Sequence, residues 1–139
     1  MLALLGLAHA GLGEWTNAGP EGGILLTLAI DPQTPKVLYA GTLAGGAFKG
    51  TTGATFWTPI NTGLQTSSVR AVIIDAQTST TLYLANGGVG VFKSADGGAS
   101  WHPVNTGLTK LSILGLAVTC GTTSGPVTRG ATSVAVRTQ

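Results

Sequence analysis

The chain is short of charge. Its 139 residues hold seven Lys and Arg and five Asp and Glu, 9 % in all, for a net charge of +2; average domains carry about 25 %. The bases are scattered and form no cluster, so a nucleic-acid partner would find no electrostatic footprint. A single cysteine, Cys120, excludes an internal disulfide, and the Cys and His residues have no zinc-ligand spacing. Phosphate loops and nucleophile elbows are absent; Gly-Gly-Val-Gly at 87–90 reads as a hairpin turn, because no helix follows it. No cofactor and no metal are expected. Helical periodicity is missing as well. What is present is 43 % hydrophobic residues, 22 glycines and frequent Thr. That composition is not a disordered one, and it points to many short strands joined by tight turns.

The N-terminus is apolar from Met1 to Leu7, and Ala8-His9-Ala10 places small residues at the spaced positions of an A-x-A cleavage site. The run is too short to span a membrane. Residues 1–10 resemble the end of a secretory signal peptide without its basic region, which implies an extracytoplasmic or secreted product and no stable membrane insertion.

The chain is organised around Ser94-Ala95-Asp96-Gly97-Gly98-Ala99-Ser100-Trp101. An Asp ahead of a Gly pair can accept hydrogen bonds from backbone N–H groups two or three residues on. Gly97 and Gly98 allow positive φ without a Cβ clash. Trp101 brings a large apolar surface whose N–H needs an acceptor when buried. The stretch therefore predicts a self-capped hairpin turn plugged into the core by its Trp. A weaker copy lies at residues 50–57, where Gly53 and Trp57 remain but Gly50 and Thr52 replace Ser and Asp; without the carboxylate that turn should be looser.

Around these turns the strands repeat. Residues 24–30 form a nearly continuous apolar run, which predicts a strand buried on both faces. Strands follow at 37–42, 47–49 and 56–60. The order recurs with an offset of 44: Asp31 maps to Asp75, Tyr39 to Tyr83, Phe48-Lys49 to Phe92-Lys93 and Trp57 to Trp101. Residues 30–64 and 74–108 share 16 identities in 35. A period in the forties with four short strands per unit marks a β-propeller blade. The fold class is therefore all-β, with about two and a half four-stranded antiparallel blades. Blade 1 runs from about 14 to 61, blade 2 from 68 to 105, and a third begins at 111. Propellers need about four to eight blades to close, so the chain reads as the N-terminal portion of a longer protein, or as a protomer able to self-associate through exposed blade edges.

The 94–101 stretch resembles the Asp-box, S-x-D-x-G-x-x-W, of sialidases, sortilin-type receptors, photosystem II assembly factors and some family 74 glycosidases. All eight positions fit, and residues 14–118 look like the Asp-box (BNR-like) propellers of exported bacterial proteins. In such families the box is mostly structural. The resemblance implies a structural role for Ser94, Asp96, Gly97, Gly98 and Trp101, and for Gly53 and Trp57 in the degenerate copy, with no catalytic residue among them.

The resulting expectation is a non-catalytic propeller segment, not an enzyme, acting as a binding or assembly scaffold for a protein or carbohydrate ligand. The alternatives are a fragment of a glycosidase-like Asp-box propeller and an inert truncated product. For the glycosidase reading the candidate carboxylates are Glu21, Asp31 and Asp75, since glycoside hydrolysis uses a pair about 5–9.5 Å apart. Asp31 and Asp75 each end an apolar strand and enter a turn, where a capping Asp is expected anyway. A sialidase reading lacks its arginine cluster, because Arg70 is the sole Arg before the tail. His102, next to Trp101, reads as a solvent-facing strand residue. Lys49 and Lys93 alternate with Phe48 and Phe92 and read as the outward partners of buried Phe.

Beyond residue 118 the repeat text stops. Residues 119–139 read as a divergent tail, either with one strand at 133–137 or in a shifted frame. Taking the last base of each codon with the first two of the next, positions 127–138 can encode Y-A-G-x-x-x-G-G-G-A-Y, close to the spacing of Tyr39-Ala40-Gly41 and Gly45-Gly46-Ala47-Phe48. A frameshifted tail would fold poorly. Sequencing the coding DNA checks this: the frameshift reading expects third bases at codons 127–138 that spell this text, and incompatible bases dismiss it.

Overall fold

A computed structural model of the chain describes residues 19–21, 23–120 and 132–138. The expected leader at 1–10, and the parts of the tail at 121–131 and 139, lie outside the described residues. The described part is all-β. Four strands, β1 (Leu25–Ile30), β2 (Leu38–Thr42), β3 (Ala47–Thr51) and β4 (Phe56–Pro59), form one antiparallel sheet in the order β1-β2-β3-β4. β5 (Val69–Ile74), β6 (Leu82–Asn86), β7 (Gly90–Ser94) and β8 (His102–Pro103) form a second in the order β5-β6-β7-β8. β9 (Ile113–Cys120) pairs with β10 (Thr132–Thr138), Leu116 opposite Val136. These meanders are the two and a half blades expected from the 44-residue period.

The register shows why the repeat text is what it is. Tyr39 pairs with Lys49 and Tyr83 with Lys93; Ala40 pairs with Phe48 and Leu84 with Phe92. Each strand thus alternates between a face turned to the next sheet and a face turned away. Tyr39, Ala47, Val69, Val72, Leu82, Leu84, Phe92 and Trp101 form the main buried cluster, between and within the first two sheets. Ala85, Val91 and Ile113 form a second cluster, with Leu116 of β9 and Val136 of β10 packed against it.

Repeated polar side chains close the turns. Asn61 accepts from Ala47 N at 2.8 Å and donates to Gly45 O at 3.1 Å; Asn105 accepts from Val91 N at 2.8 Å and donates to Val89 O at 3.0 Å. One amide side chain therefore ties each fourth strand to the hairpin between the second and third. The two amides open the stretches Asn61-Thr62-Gly63-Leu64 and Asn105-Thr106-Gly107-Leu108, identical at the 44-residue offset.

Two expectations need correcting. β1 is not buried on both faces: Thr27 and Ala29 are half-buried, while Leu26, Leu28 and Ile30 are exposed. Thr27 and Ala29 face the second sheet, where Thr27 Oγ1 accepts from Val72 N at 3.3 Å and Ala29 packs on the main cluster. The alternate residues occupy the face that another blade would cover. Lys49 and Lys93 are not simply outward partners of Phe48 and Phe92. Each lies over a tyrosine ring, Lys49 over Tyr39 at 5.5 Å and Lys93 over Tyr83 at 5.6 Å. Period-two alternation puts Lys on the face opposite Phe, and in stacked sheets that opposite face meets the next blade.

The first two sheets approach closely at Gly41 in β2. A Cβ there would lie 2.5 Å from Val69 Cγ1, 2.6 Å from Thr27 Cγ2 and 2.9 Å from the Val69 carbonyl oxygen. Gly41→Ala should force β2 and β5 apart and destabilise the chain by about 1–3 kcal/mol, the range for overpacked cores. A lowered denaturant midpoint with an unchanged slope would show it, and an unaltered midpoint would contradict the packing described.

Candidate functional site

The 94–101 turn joins β7 to β8. Ser94, fully buried, donates through Oγ to Asp96 Oδ1 at 2.7 Å and accepts from Gly98 N at 2.9 Å. Asp96 Oδ1 accepts from Ser100 N at 2.9 Å, and Oδ2 accepts from Ser100 Oγ at 2.5 Å. The carboxylate thus caps the backbone four residues on, two residues further than an Asx turn reaches. Gly97 and Gly98 have φ of 67° and 91°, a conformation in which a Cβ is strained. Trp101, 2 % exposed, donates from Nε1 to Ile60 O at 2.7 Å, and its backbone N donates to Thr62 O at 2.9 Å. The turn that closes the second sheet is therefore seated on the first. Tyr39 Oη and Lys49 Nζ both donate to Gly97 O at 3.3 Å from the same side.

The copy in the first sheet is built differently. Its turn carries positive φ at Thr52 (54°), Gly53 (72°) and Ala54 (67°). Two of these are non-glycine residues in the left-handed region, each at a cost of about 1–2 kcal/mol. Thr52 Oγ1 donates to Thr51 O and Thr55 Oγ1 to Thr52 O; neither replaces the bond that Asp96 makes across its turn. Trp57 is half-buried, with its ring against Gly50.

Asp31 and Asp75 sit in equivalent turns of the two sheets, both buried. Asp31 Oδ1 accepts from Gln33 N at 2.8 Å and Thr34 N at 3.2 Å; Asp75 Oδ1 accepts from Gln77 N at 2.9 Å and Thr78 N at 3.3 Å. The turns adjoin, since Gln33 Nε2 donates to Gln77 O at 3.0 Å. Both carboxylates are thus turn caps. Glu21 is exposed and lies elsewhere, lining a cavity of about 470 Å³ with Phe48, Thr55, Phe56, Trp57 and Pro59. Phe56 is 66 % exposed. Phe48, Trp57 and Pro59 lie on the face of the first sheet that also bears Leu28 and Ile30. His102 is exposed, and among the described residues no cluster of His, Cys, Asp and Glu could hold a metal.

No protein-family model and no curated protein matches the chain. Solved structures do. An ancestral GH74 enzyme superposes with a TM-score of 0.62 at 26 % identity, covering 72 % of this chain and 12 % of that one. The GH74 enzyme of Niastella koreensis gives 0.52 at 26 % identity, covering 62 % and 14 %. The GH74 xyloglucanase from Xanthomonas campestris gives 0.51 at 21 % identity, covering 66 % and 16 %, a likeness of fold alone. The incomplete β-propeller is therefore the fold of this chain. The chain spans about an eighth of the first neighbour's length. The expectation that it is not an enzyme is overturned, because these neighbours are glycoside hydrolase enzymes, of which the chain matches a portion.

Hydrogen bonds from the Ser100 hydroxyl first, then from Ser94 and the Ser100 amide, hold the Asp96 carboxyl well below its ordinary value of 3.8. A carboxyl with a depressed folded pKa stabilises the fold above its unfolded pKa, and that contribution is lost as pH falls towards the folded value. Wild type and Asp96→Asn should therefore differ most in melting temperature at pH 5–7 and converge as pH drops below 3.8. Melting curves from pH 7 to pH 2.5 test this; a gap that stays constant would show that the Asp96 charge contributes nothing.

Proposed function

We propose that the chain is a portion of an Asp-box β-propeller of the glycosidase kind, working on carbohydrate outside the cytoplasm. The match to an ancestral GH74 enzyme at 26 % identity and a TM-score of 0.62 carries this reading. Two features support it. The 94–101 turn has the hydrogen bonding that gives an Asp-box its structural role. The apolar start with its A-x-A spacing suits export. The scaffold reading, sortilin-type or otherwise, gains no support from these neighbours. In this reading the blades span about 14–61 and 68–105, with a third from 111.

Hydrolysis is proposed for the whole propeller, of which the chain corresponds to the 12–16 % seen in its neighbours. Two carboxylates on either side of a glycosidic bond would be needed. Asp31 and Asp75 are engaged in capping their own turns. Glu21 is exposed beside Phe48 and Trp57, on the sheet face that another blade would cover, and takes no part in the proposed reaction.

Titration of the full chain with xyloglucan oligosaccharides, followed by NMR, tests the reading. Saturable shifts confined to one contiguous set of residues are expected. Absence of saturation at millimolar xyloglucan or cello-oligosaccharide, with the chain folded, would overturn it.

A further inference from the structure

The first strand of each described sheet carries the same irregularity. β1 pairs Leu25 with Thr42 and Thr27 with Gly41; β5 pairs Val69 with Asn86 and Ala71 with Ala85; β9 pairs Ile113 with Thr138 and Gly115 with Arg137. Each ladder passes over one residue, and the three residues passed over, Leu26, Arg70 and Leu114, are spaced by 44. Packing shows the extra residue in β5. Val69 and Val72 both lie in the main cluster, while Ala71 packs on the second. Strict alternation would put residues 69 and 72 on opposite faces. The bulged residue is exposed in all three strands, Leu26 by 41 %, Leu114 by 40 % and Arg70 likewise. A β-bulge re-aims a side chain in this way, and bulges are over-represented next to active sites.

The three bulges share one border of the molecule. The sheets converge at their first strands, β1 against β5 and β5 against β9. The other edge of each first strand pairs with no strand among the described residues. In a propeller such edges border the central channel. Residues 26, 70 and 114 thus occupy equivalent places along that border, a leucine, an arginine and a leucine. The described carboxylates are committed elsewhere. Asp31 and Asp75 cap turns beyond the other ends of β1 and β5, Asp96 is bound within its own turn, and Glu21 lines the cavity of Phe48 and Trp57.

We propose that Arg70 is a ligand-binding residue that takes the carboxylate of an acidic oligosaccharide, a uronate unit, through two parallel N–H···O bonds. The inference rests on the carbohydrate reading above and narrows it to an acidic sugar. A guanidinium matches a carboxylate in its fork geometry, and such charge-assisted bonds are about twice as strong as neutral ones. A neutral glycan would gain little from a fixed charge at this position. The leucines at the two equivalent places offer apolar surface to the C–H faces of sugar rings and leave Arg70 the sole charge in the row.

Trigalacturonate is the probe, with its full methyl ester as the uncharged twin, and NMR titration of the full chain is the measurement. Saturable shifts should centre on Arg70, and the ester should bind at least tenfold more weakly. Arg70→Leu, which copies the neighbouring strands, should weaken trigalacturonate at least tenfold with a melting temperature near that of wild type. Arg70→Lys, which keeps the charge and loses the fork, should weaken it several-fold. Equal binding of the ester, or equal binding to a folded Arg70→Leu chain, would overturn the proposal. Displacement of trigalacturonate by an equal concentration of acetate would overturn it in favour of a simple anion site. Shifts with xyloglucan oligosaccharides but none with trigalacturonate would overturn the acidic-sugar assignment and leave the carbohydrate reading standing; shifts with neither would overturn both.

Discussion

The hydrogen bond from the Trp101 indole to the Ile60 carbonyl is the contact on which the arrangement of the two sheets depends. It is a 2.7 Å bond made by a side chain that is 2 % exposed. Ile60 directly follows the last strand of the first sheet, and Trp101 directly precedes the last strand of the second. The bond therefore fixes the outer edges of the sheets, far in sequence from the inner contacts of β1 with β5. A buried indole N–H without an acceptor would carry a desolvation cost of about 1–3 kcal/mol. The geometry is accordingly set from both sides: Trp101 needs Ile60 O, and the outer rim of the first sheet needs the indole to cover Tyr39 and Ala47.

Everything in the 94–101 turn serves that placement. Ser94 and Asp96 hold the loop in one shape, and Gly97 turns its carbonyl towards Tyr39 and Lys49. Where the Asp is missing, at Thr52, the turn relies on left-handed non-glycine residues and its Trp packs only half-buried on its own sheet. The contrast separates two jobs of the same sequence pattern. The polar residues shape a hairpin, and the tryptophan joins that hairpin to its neighbour.

A fold made of such units is open at its ends by construction. The outer side of β1 exposes Leu26, Leu28 and Ile30, and Val104 of the second sheet is exposed as well. The match to 12–16 % of GH74 chains fits this picture, since a propeller's chemistry belongs to its closed ring and a few blades supply part of one surface. Fold likeness does not by itself deliver a site. The cavities at Glu21, Phe56 and Trp57 and at Tyr83 and Val104 are two separate surfaces, on the first and the second sheet.

Much of the architecture was legible in the sequence because a blade is local. Strands a few residues long, turns marked by Asp, Gly and Asn, and an offset of 44 residues are all properties of neighbouring positions, and they determined strand order, turn positions and the caps at Asp31, Asp75 and Asp96. What only the tertiary structure decided is which face of each strand meets what. Alternation in sequence separates the two faces of β1 and β3 but does not say which one a neighbour covers. Residues 24–30 therefore read as wholly buried when five of the seven are exposed. Lys49 and Lys93 read as outward when they lie over Tyr39 and Tyr83 at sheet faces. The acceptor of the Trp101 indole, 41 residues away, was equally invisible, because a hydrogen bond between blades is set by how sheets stack and leaves no spacing in the chain.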